Sequence, residues 1–172
     1  MSSRQIIVVG GGAAGFFGAI TCAEASPDAR VAILEKSARF LDKVRISGGG
    51  RCNVTNACSD PREFVTRYPR GDSAMIGALH RFQARDTVAW FESRGVRFIA
   101  EPDGRLFPST NSSQTIIDCL VHVAQKADVE VKMGSEEHMK LAERLAAEGR
   151  EGAISLRGEA LFELDGKSFL VK

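Results

Sequence analysis

Gly10, Gly12 and Gly15 stand in a Gly-x-Gly-x-x-Gly spacing, and an acid, Glu35, follows 20 residues after the last of them. These residue types in this order suit the holding of a dinucleotide. Gly10 permits a tight turn, Gly12 lets the backbone approach a pyrophosphate, and Gly15 lets a helix lie close on a strand. Ala13 and Ala14 would open that helix, whose free N–H groups and partial positive charge favour a diphosphate. A carboxylate at Glu35 can accept both ribose hydroxyls of an adenosine, and its charge disfavours a 2′-phosphorylated cofactor. The glycine spacing alone also fits a turn with no ligand. Its place after an apolar run, before a helical one, and upstream of Glu35 favours the dinucleotide.

A second constellation is Ile46-Ser47-Gly48-Gly49-Gly50-Arg51-Cys52-Asn53-Val54-Thr55-Asn56. Successive glycines let backbone amides crowd around an anion or a flat ring. Arg51 adds a planar cation, and Asn53, Thr55 and Asn56 add amide and hydroxyl groups. Arg39, Lys43, Arg45 and Arg51 outnumber the one nearby acid, Asp42. A flexible surface loop is the plain alternative. A nucleic-acid patch is disfavoured, because the segment lacks aromatic side chains on which bases stack. The cation beside Cys52 could lower that thiol's pKa, although a packing or cofactor-contact role is the stronger reading.

Other reactive side chains carry less. His80, His122 and His138 are isolated in helical segments, and Trp90 and Phe91 read as core. Cys22, Cys52, Cys58 and Cys119 form neither a CxxC pair nor a His-rich pattern, so neither a metal site nor a disulfide framework is expected. No catalytic acid or base can be assigned.

The elements that would position these residues follow from pattern. Residues 5–9 read as a strand buried on both faces and residues 13–25 as a helix with Gly15, Gly18, Ala19 and Cys22 on its packed face. Residues 31–35 read as a second buried strand, completing a βαβ unit. Residues 36–72 read as irregular. Residues 73–94 read as two helical pieces ending at Gly95. Strands at 96–100 and 105–107 join through Asp103-Gly104. Ser112-Ser113 precede a helix at 114–126 with Ile116, Cys119, Leu120 and Val123 on one face, and a strand follows at 129–133. The tail reads as a helix at 136–148 capped by Ser135 and supported by a Glu136–Lys140 pair. A strand at 153–157 and a hairpin of 160–164 with 167–171 through Asp165-Gly166 complete it.

Composition sets the limits. The 172 residues are 44% hydrophobic and 26% charged, with 23 basic and 22 acidic side chains and a formal charge of +1. This is globular composition, unlike that of a disordered or fibrous chain. It gives no general reason to expect nucleic acid or a membrane as partner. No apolar run reaches the roughly 20 residues that span a bilayer, and no signal peptide is read. A cytoplasmic protein with a small-molecule substrate is expected.

Val8-Val-Gly-Gly-Gly-Ala-Ala-Gly15, Leu34-Glu-Lys36 and Lys43-Val-Arg-Ile-Ser-Gly-Gly-Gly-Arg-Cys-Asn-Val-Thr-Asn56 together resemble the YhiN/BaiN-like flavoproteins, also described as aminoacetone-oxidase-like FAD-binding enzymes. Tyr68-Pro69-Arg70-Gly71, Trp90-Phe91, Glu101-x-Asp103-Gly104-Arg105-x-Phe107-Pro108 and Ser112-Ser113 extend the likeness to about Val131. The resemblance implies an α/β fold: an FAD-type Rossmann domain, truncated, with an added helix–strand segment. Residues 1–133 would form the N-terminal part of that domain, and residues 134–172 a helix-plus-hairpin tail of open assignment. It implies FAD, with Glu35 and Lys36 at the adenosine ribose and Ser47, Gly49, Gly50, Arg51, Cys52, Asn53, Thr55 and Asn56 along the pyrophosphate and flavin. Arg51 would then stabilise the reduced flavin, and NAD(P)H is a candidate electron donor. Family members are longer and return to the sheet through an Ala-Thr-Gly-Gly-like turn that this chain lacks. An oxidoreductase or its N-terminal fragment is therefore the leading expectation. The alternatives are a non-catalytic FAD- or ADP-binding remnant needing a second copy or partner chain, and an NAD-linked dehydrogenase.

Overall fold

The computed structural model of the chain describes residues 5–68, 72–134, 154–156, 159–164 and 167–171. The chain divides into two compact units, Met1–Lys43 with Leu120–Lys172, and Val44–Cys119.

In the first unit, β1 (Gln5–Val9) and β2 (Arg30–Glu35) pair in parallel, from Gln5 opposite Arg30 to Val9 opposite Leu34. Parallel neighbours need a crossover, which α1 (Ala13–Ala25) supplies. Ile6, Val8, Val9 and all of Val31–Leu34 are buried, as expected for strands covered on both faces. β6 (Glu130–Met133) runs parallel to β2 on its other side.

The sheet extends beyond β1 through β9 (Lys167–Val171), which is parallel to β1. β8 (Glu159–Leu164) and β7 (Ile154–Leu156) then add antiparallel strands, giving the order β6-β2-β1-β9-β8-β7. The tail hairpin, whose place the sequence leaves open, thus joins the sheet of the glycine turn. The predicted helix at 136–148, with Ser135, His138 and the Glu136–Lys140 pair, lies outside the described residues. So do the Asp165-Gly166 turn, the ends of the strand predicted at 153–157, and Pro69-Arg70-Gly71.

The packed face of α1 differs from the predicted one. Gly15, Phe16, Ala19, Ile20 and Ala23 are buried, whereas Gly18 and Cys22 are only half-buried. Burying Phe16 and Ile20 removes far more apolar area from water than burying a row of small residues, and that difference sets the rotation of the helix.

The second unit contains more order than the irregular stretch predicted for residues 36–72. α2 (Asp42–Gly50) begins as a helix and breaks at Ser47. β3 (Thr55–Asn56) follows, then α3 (Pro61–Val65), which Asp60 caps by accepting the Arg62 N–H at 2.8 Å. α4 (Asp72–Arg81) and α5 (Ala84–Glu92) are the two predicted helical pieces. β4 (Phe98–Ala100) and β5 (Arg105–Pro108) form the predicted hairpin, and β3 pairs with the far edge of β5. α6 (Gln114–Lys126), whose chain passes from this unit to the first at Leu120, has the predicted bounds, with Ile116, Leu120 and Val123 buried and Cys119 half-buried. Among the described residues no helix is long and apolar enough to cross a membrane.

Candidate functional site

The first constellation assembles where β1 ends. The Gly10 N–H donates to the Leu34 carbonyl at 2.7 Å, extending the strand ladder by one residue. Gly10 then turns the chain at φ +102°, in the region that glycine adopts without strain. A Cβ on Gly15 would lie 1.8 Å from the Gly10 carbonyl oxygen, so the first turn of α1 rests directly on the β1 turn, as its glycine predicts.

Gly12 is the N-cap of α1. No side chain caps the helix there and no acid stands in its first turn. Ala13 and Ala14 are exposed, and the space a Gly12 Cβ would enter holds no atom within 4 Å. The opening amides of a helix have no intrahelical acceptor, so this end is built from backbone donors beside open space.

Glu35 closes the turn from β2. Its Oε2 accepts the Gly11 N–H at 2.7 Å and its Oε1 accepts the Ser37 N–H at 2.8 Å. Burial pushes the carboxyl pKa up, but the Ser37 and Gly11 hydrogen bonds and the Lys36 charge outweigh it and hold the group below its ordinary value. Glu35 is therefore an anion at neutral pH, with one lone pair left on each oxygen. Lys36 beside it is exposed.

The second constellation forms within the other unit. Ser47 leaves the helix at ψ 142°, and Gly48, Gly49 and Gly50 follow with φ of +56°, +71° and +88°. The Cys52 N–H closes this left-handed turn on the Ser47 carbonyl at 2.9 Å. A Cβ on Gly48 would lie 2.8 Å from Cε1 of Phe107, so the turn packs on that ring. The Arg51 guanidinium lies 4.0 Å from the same ring's centroid and pairs with Glu101 at 2.5 Å. Its Nε also donates to the Gly48 carbonyl at 3.3 Å. Glu101 takes Arg105 on its second oxygen at 3.0 Å.

Asn53 is exposed, while Thr55 and Asn56 lie in β3. The Asn56 Oδ1 accepts the Cys58 N–H at 2.9 Å, so its amide is engaged in the local turn. Ser113, buried, binds the end of α2 twice: its N–H donates to the Gly50 carbonyl and its hydroxyl to the Arg45 carbonyl, both at 2.8 Å.

The structure thus brings Gly10, Gly12, Ala13, Ala14, Gly15, Glu35 and Lys36 together in one unit. Ser47, Gly49, Gly50, Arg51, Cys52, Asn53, Thr55 and Asn56 belong to the other. The Cys52 thiol is pushed up by burial, only partly offset by the Ser47 hydroxyl, so the neighbouring cation does not acidify it. Sequence reasoning also missed Gly11, Glu101, Phe107 and Ser113 as parts of these sites. His80 and His122 are exposed. Trp90 is half-buried under the Arg94 guanidinium, and Phe91 is core. Among the described residues no cluster could hold a metal ion, and the four cysteines are free thiols.

Residues 4–155 match the model of the family described as HI0933-like protein Rossmann domain. The chain is 32% identical over 136 residues to the ribosomal RNA dihydrouridine synthase of Escherichia coli (strain K12), covering 79% of this chain and 32% of that protein. It is 28% identical over 131 residues to the 3-dehydro-bile acid delta(4,6)-reductase of Clostridium scindens, covering 76% of this chain and 31% of the relative. It therefore spans about a third of the length of these curated relatives. Among solved structures, the open conformation of a flavocytochrome c3 fumarate reductase shares the fold, with a TM-score of 0.50, 22% identity, and coverage of 76% of this chain and 26% of that one.

Proposed function

The chain belongs to the HI0933-like protein Rossmann domain family, and from that premise we propose that it is the FAD-binding part of a flavoprotein oxidoreductase. The observation that carries this reading is the start of α1, where backbone amides open onto vacant space at Gly12. Free backbone donors at a helix start beside open space suit a diphosphate. Glu35 fits the adenosine end: it is ionised, and each oxygen keeps an acceptor site for a ribose hydroxyl. Its charge favours an unphosphorylated ribose.

When bound, the flavin supplies hydride chemistry, and the protein's part is to place and tune it. Gly12, Ala13 and Ala14 hold the diphosphate, and Glu35 with Lys36 holds the ribose. Arg51 is assigned the role of the cation that tunes the flavin. Its support is the sequence resemblance and the rigid hold that Phe107 and Glu101 place on the guanidinium. The names of the two curated relatives both describe saturation of a carbon–carbon double bond. We extend that reaction class to the whole protein of which these residues form the nucleotide-binding part. Free thiols at Cys22, Cys52, Cys58 and Cys119 are in keeping with a cytoplasmic setting.

The test is the flavin absorption band of the purified chain after addition of FAD and desalting. Retained FAD supports the reading, and a folded chain that releases all of it refutes it. With FAD retained, Arg51→Met should lower the flavin's reduction potential in a potentiometric titration. An unchanged potential would remove Arg51 from the site.

A further inference from the structure

Both hydrogen-bonding groups of Gly11 are captured by one connection, residues 35–41. The Gly11 N–H donates to Oε2 of Glu35 at 2.7 Å, and the Gly11 carbonyl accepts the Leu41 N–H at 2.7 Å. To reach back, the chain places Leu41 at φ +57°, a conformation that a branched side chain rarely adopts. The Leu41 side chain is only 1% exposed, and Phe40 just before it packs on Phe16 with ring centroids 5.2 Å apart. Burial of the Leu41 side chain, beside the Phe40–Phe16 contact, holds Leu41 in its strained conformation. The clamp is tight: a Cβ on Gly11 would lie 3.0 Å from the Phe40 Cβ and 3.1 Å from both Cβ and Oε2 of Glu35.

The Gly11–Gly12 peptide is trans, so its carbonyl and its N–H point in opposite directions. Fixing the Gly11 carbonyl on Leu41 therefore turns the Gly12 N–H away from Leu41. Gly12 borders the vacant space at the start of α1. We infer that Leu41 is a positioning residue: its backbone N–H locks this peptide plane, while the Glu35 carboxylate fixes the preceding Gly10–Gly11 peptide, so that the Gly12 amide is aimed at the cofactor diphosphate before binding. The inference rests on the FAD reading above. A preset donor costs no reorganisation when the anion arrives.

The test replaces Leu41 in the full chain by its α-hydroxy-acid counterpart, which deletes the N–H and keeps the side chain. FAD affinity is read by calorimetry, and the Gly12 amide resonance by NMR of the ligand-free protein. The expected result is a Kd raised about tenfold, as for loss of one well-placed hydrogen bond, with a shifted or broadened Gly12 resonance. Leu120→Ala truncates a buried side chain outside residues 35–41 and keeps the Leu41 N–H, so it should lower the melting temperature while FAD affinity stays within about twofold. A wild-type Kd and an unmoved Gly12 resonance in the ester variant would overturn the inference. So would a tenfold loss in Leu120→Ala that the ester does not share, since affinity would then follow packing and not the bond. In either of those cases the wild-type chain still binds FAD and the proposed function stands. If the wild-type chain binds neither FAD nor ADP, both fall.

Discussion

Replacing Gly15 by alanine separates what the glycine turn does for folding from what it does for binding. The new Cβ would sit 1.8 Å from the Gly10 carbonyl oxygen. An ordinary carbon–oxygen contact is about 3.3 Å, so α1 must retreat by about 1.5 Å. Its buried residues Phe16, Ala19, Ile20 and Ala23 would retreat with it. A gap of even 0.5–1 Å forfeits roughly a quarter to a half of each contact. Phe16 and Ile20 are almost fully buried, and about half of their burial energy plus residual overpacking comes to about 3–4 kcal/mol. Alanine's better helix propensity returns about 1 kcal/mol, leaving a net loss of about 2–3 kcal/mol. That corresponds to roughly 5–10 °C in melting temperature for a chain of this size. Gly12→Ala is the control. Gly12 has φ −86° and open space around its Cβ position, so stability should stay within about 0.5 kcal/mol, a lost N-cap preference being offset by a stiffer unfolded chain. FAD affinity should nonetheless fall at least tenfold, because the methyl takes the room of the diphosphate. Circular-dichroism melts and flavin-fluorescence titrations read the two effects. Equal melting temperatures for both variants, or unimpaired FAD binding by Gly12→Ala, would refute the reasoning.

Three further outcomes follow from the same geometry. The folded-state pKa of Glu35 lies below its ordinary value of 4.5, so its contribution to stability is present above pH 4.5 and is lost as pH falls through the depressed value. Urea denaturation of Glu35→Gln as a function of pH should accordingly show a shallower acid limb than the wild type; parallel limbs would contradict this. Gly48→Ala meets Phe107 and the Asn53 N–H at 2.8 and 3.0 Å as well as a positive φ, whereas Gly49→Ala meets only the positive φ. Denaturant titration should find Gly49→Ala worse than wild type by about 1–2 kcal/mol and Gly48→Ala worse than Gly49→Ala by at least about 1 kcal/mol. The Cys52 thiol is buried and its pKa raised, so mass spectrometry after thiol alkylation should find half-buried Cys58 modified first and Cys52 only on unfolding.

What the sequence reveals about this protein depends on how local each determinant is. The strands at 5–9 and 31–35 are legible because a strand covered on both faces is a continuous apolar run. The roles of Gly10 and Gly15 are legible because a backbone turn and a close approach exclude side chains within a few residues. The face of α1 is not, since small residues at helical spacing suggest a packed stripe while the buried side is chosen by the volumes of Phe16 and Ile20. The partners of the site residues are further removed. Glu35 meets Gly11 across 24 residues and Arg51 meets Glu101 across 50. No pattern in one sequence joins such pairs.

The Cys52 expectation shows the consequence most clearly. Read along the chain, the thiol has an arginine beside it that could acidify it, although packing or cofactor contact is the stronger reading. In the fold, that arginine is tied to Glu101 and stacked on Phe107, the thiol is left to burial, and the shift takes the opposite sign. A site made of backbone groups, such as the start of α1, survives the step from sequence to structure because glycine and a helix end define it. A site made of paired charges is settled only when the pairs are known. Any tuning of a flavin by Arg51 must therefore be read together with Glu101: Arg51 offers the charge, and Glu101 governs how much of it is felt.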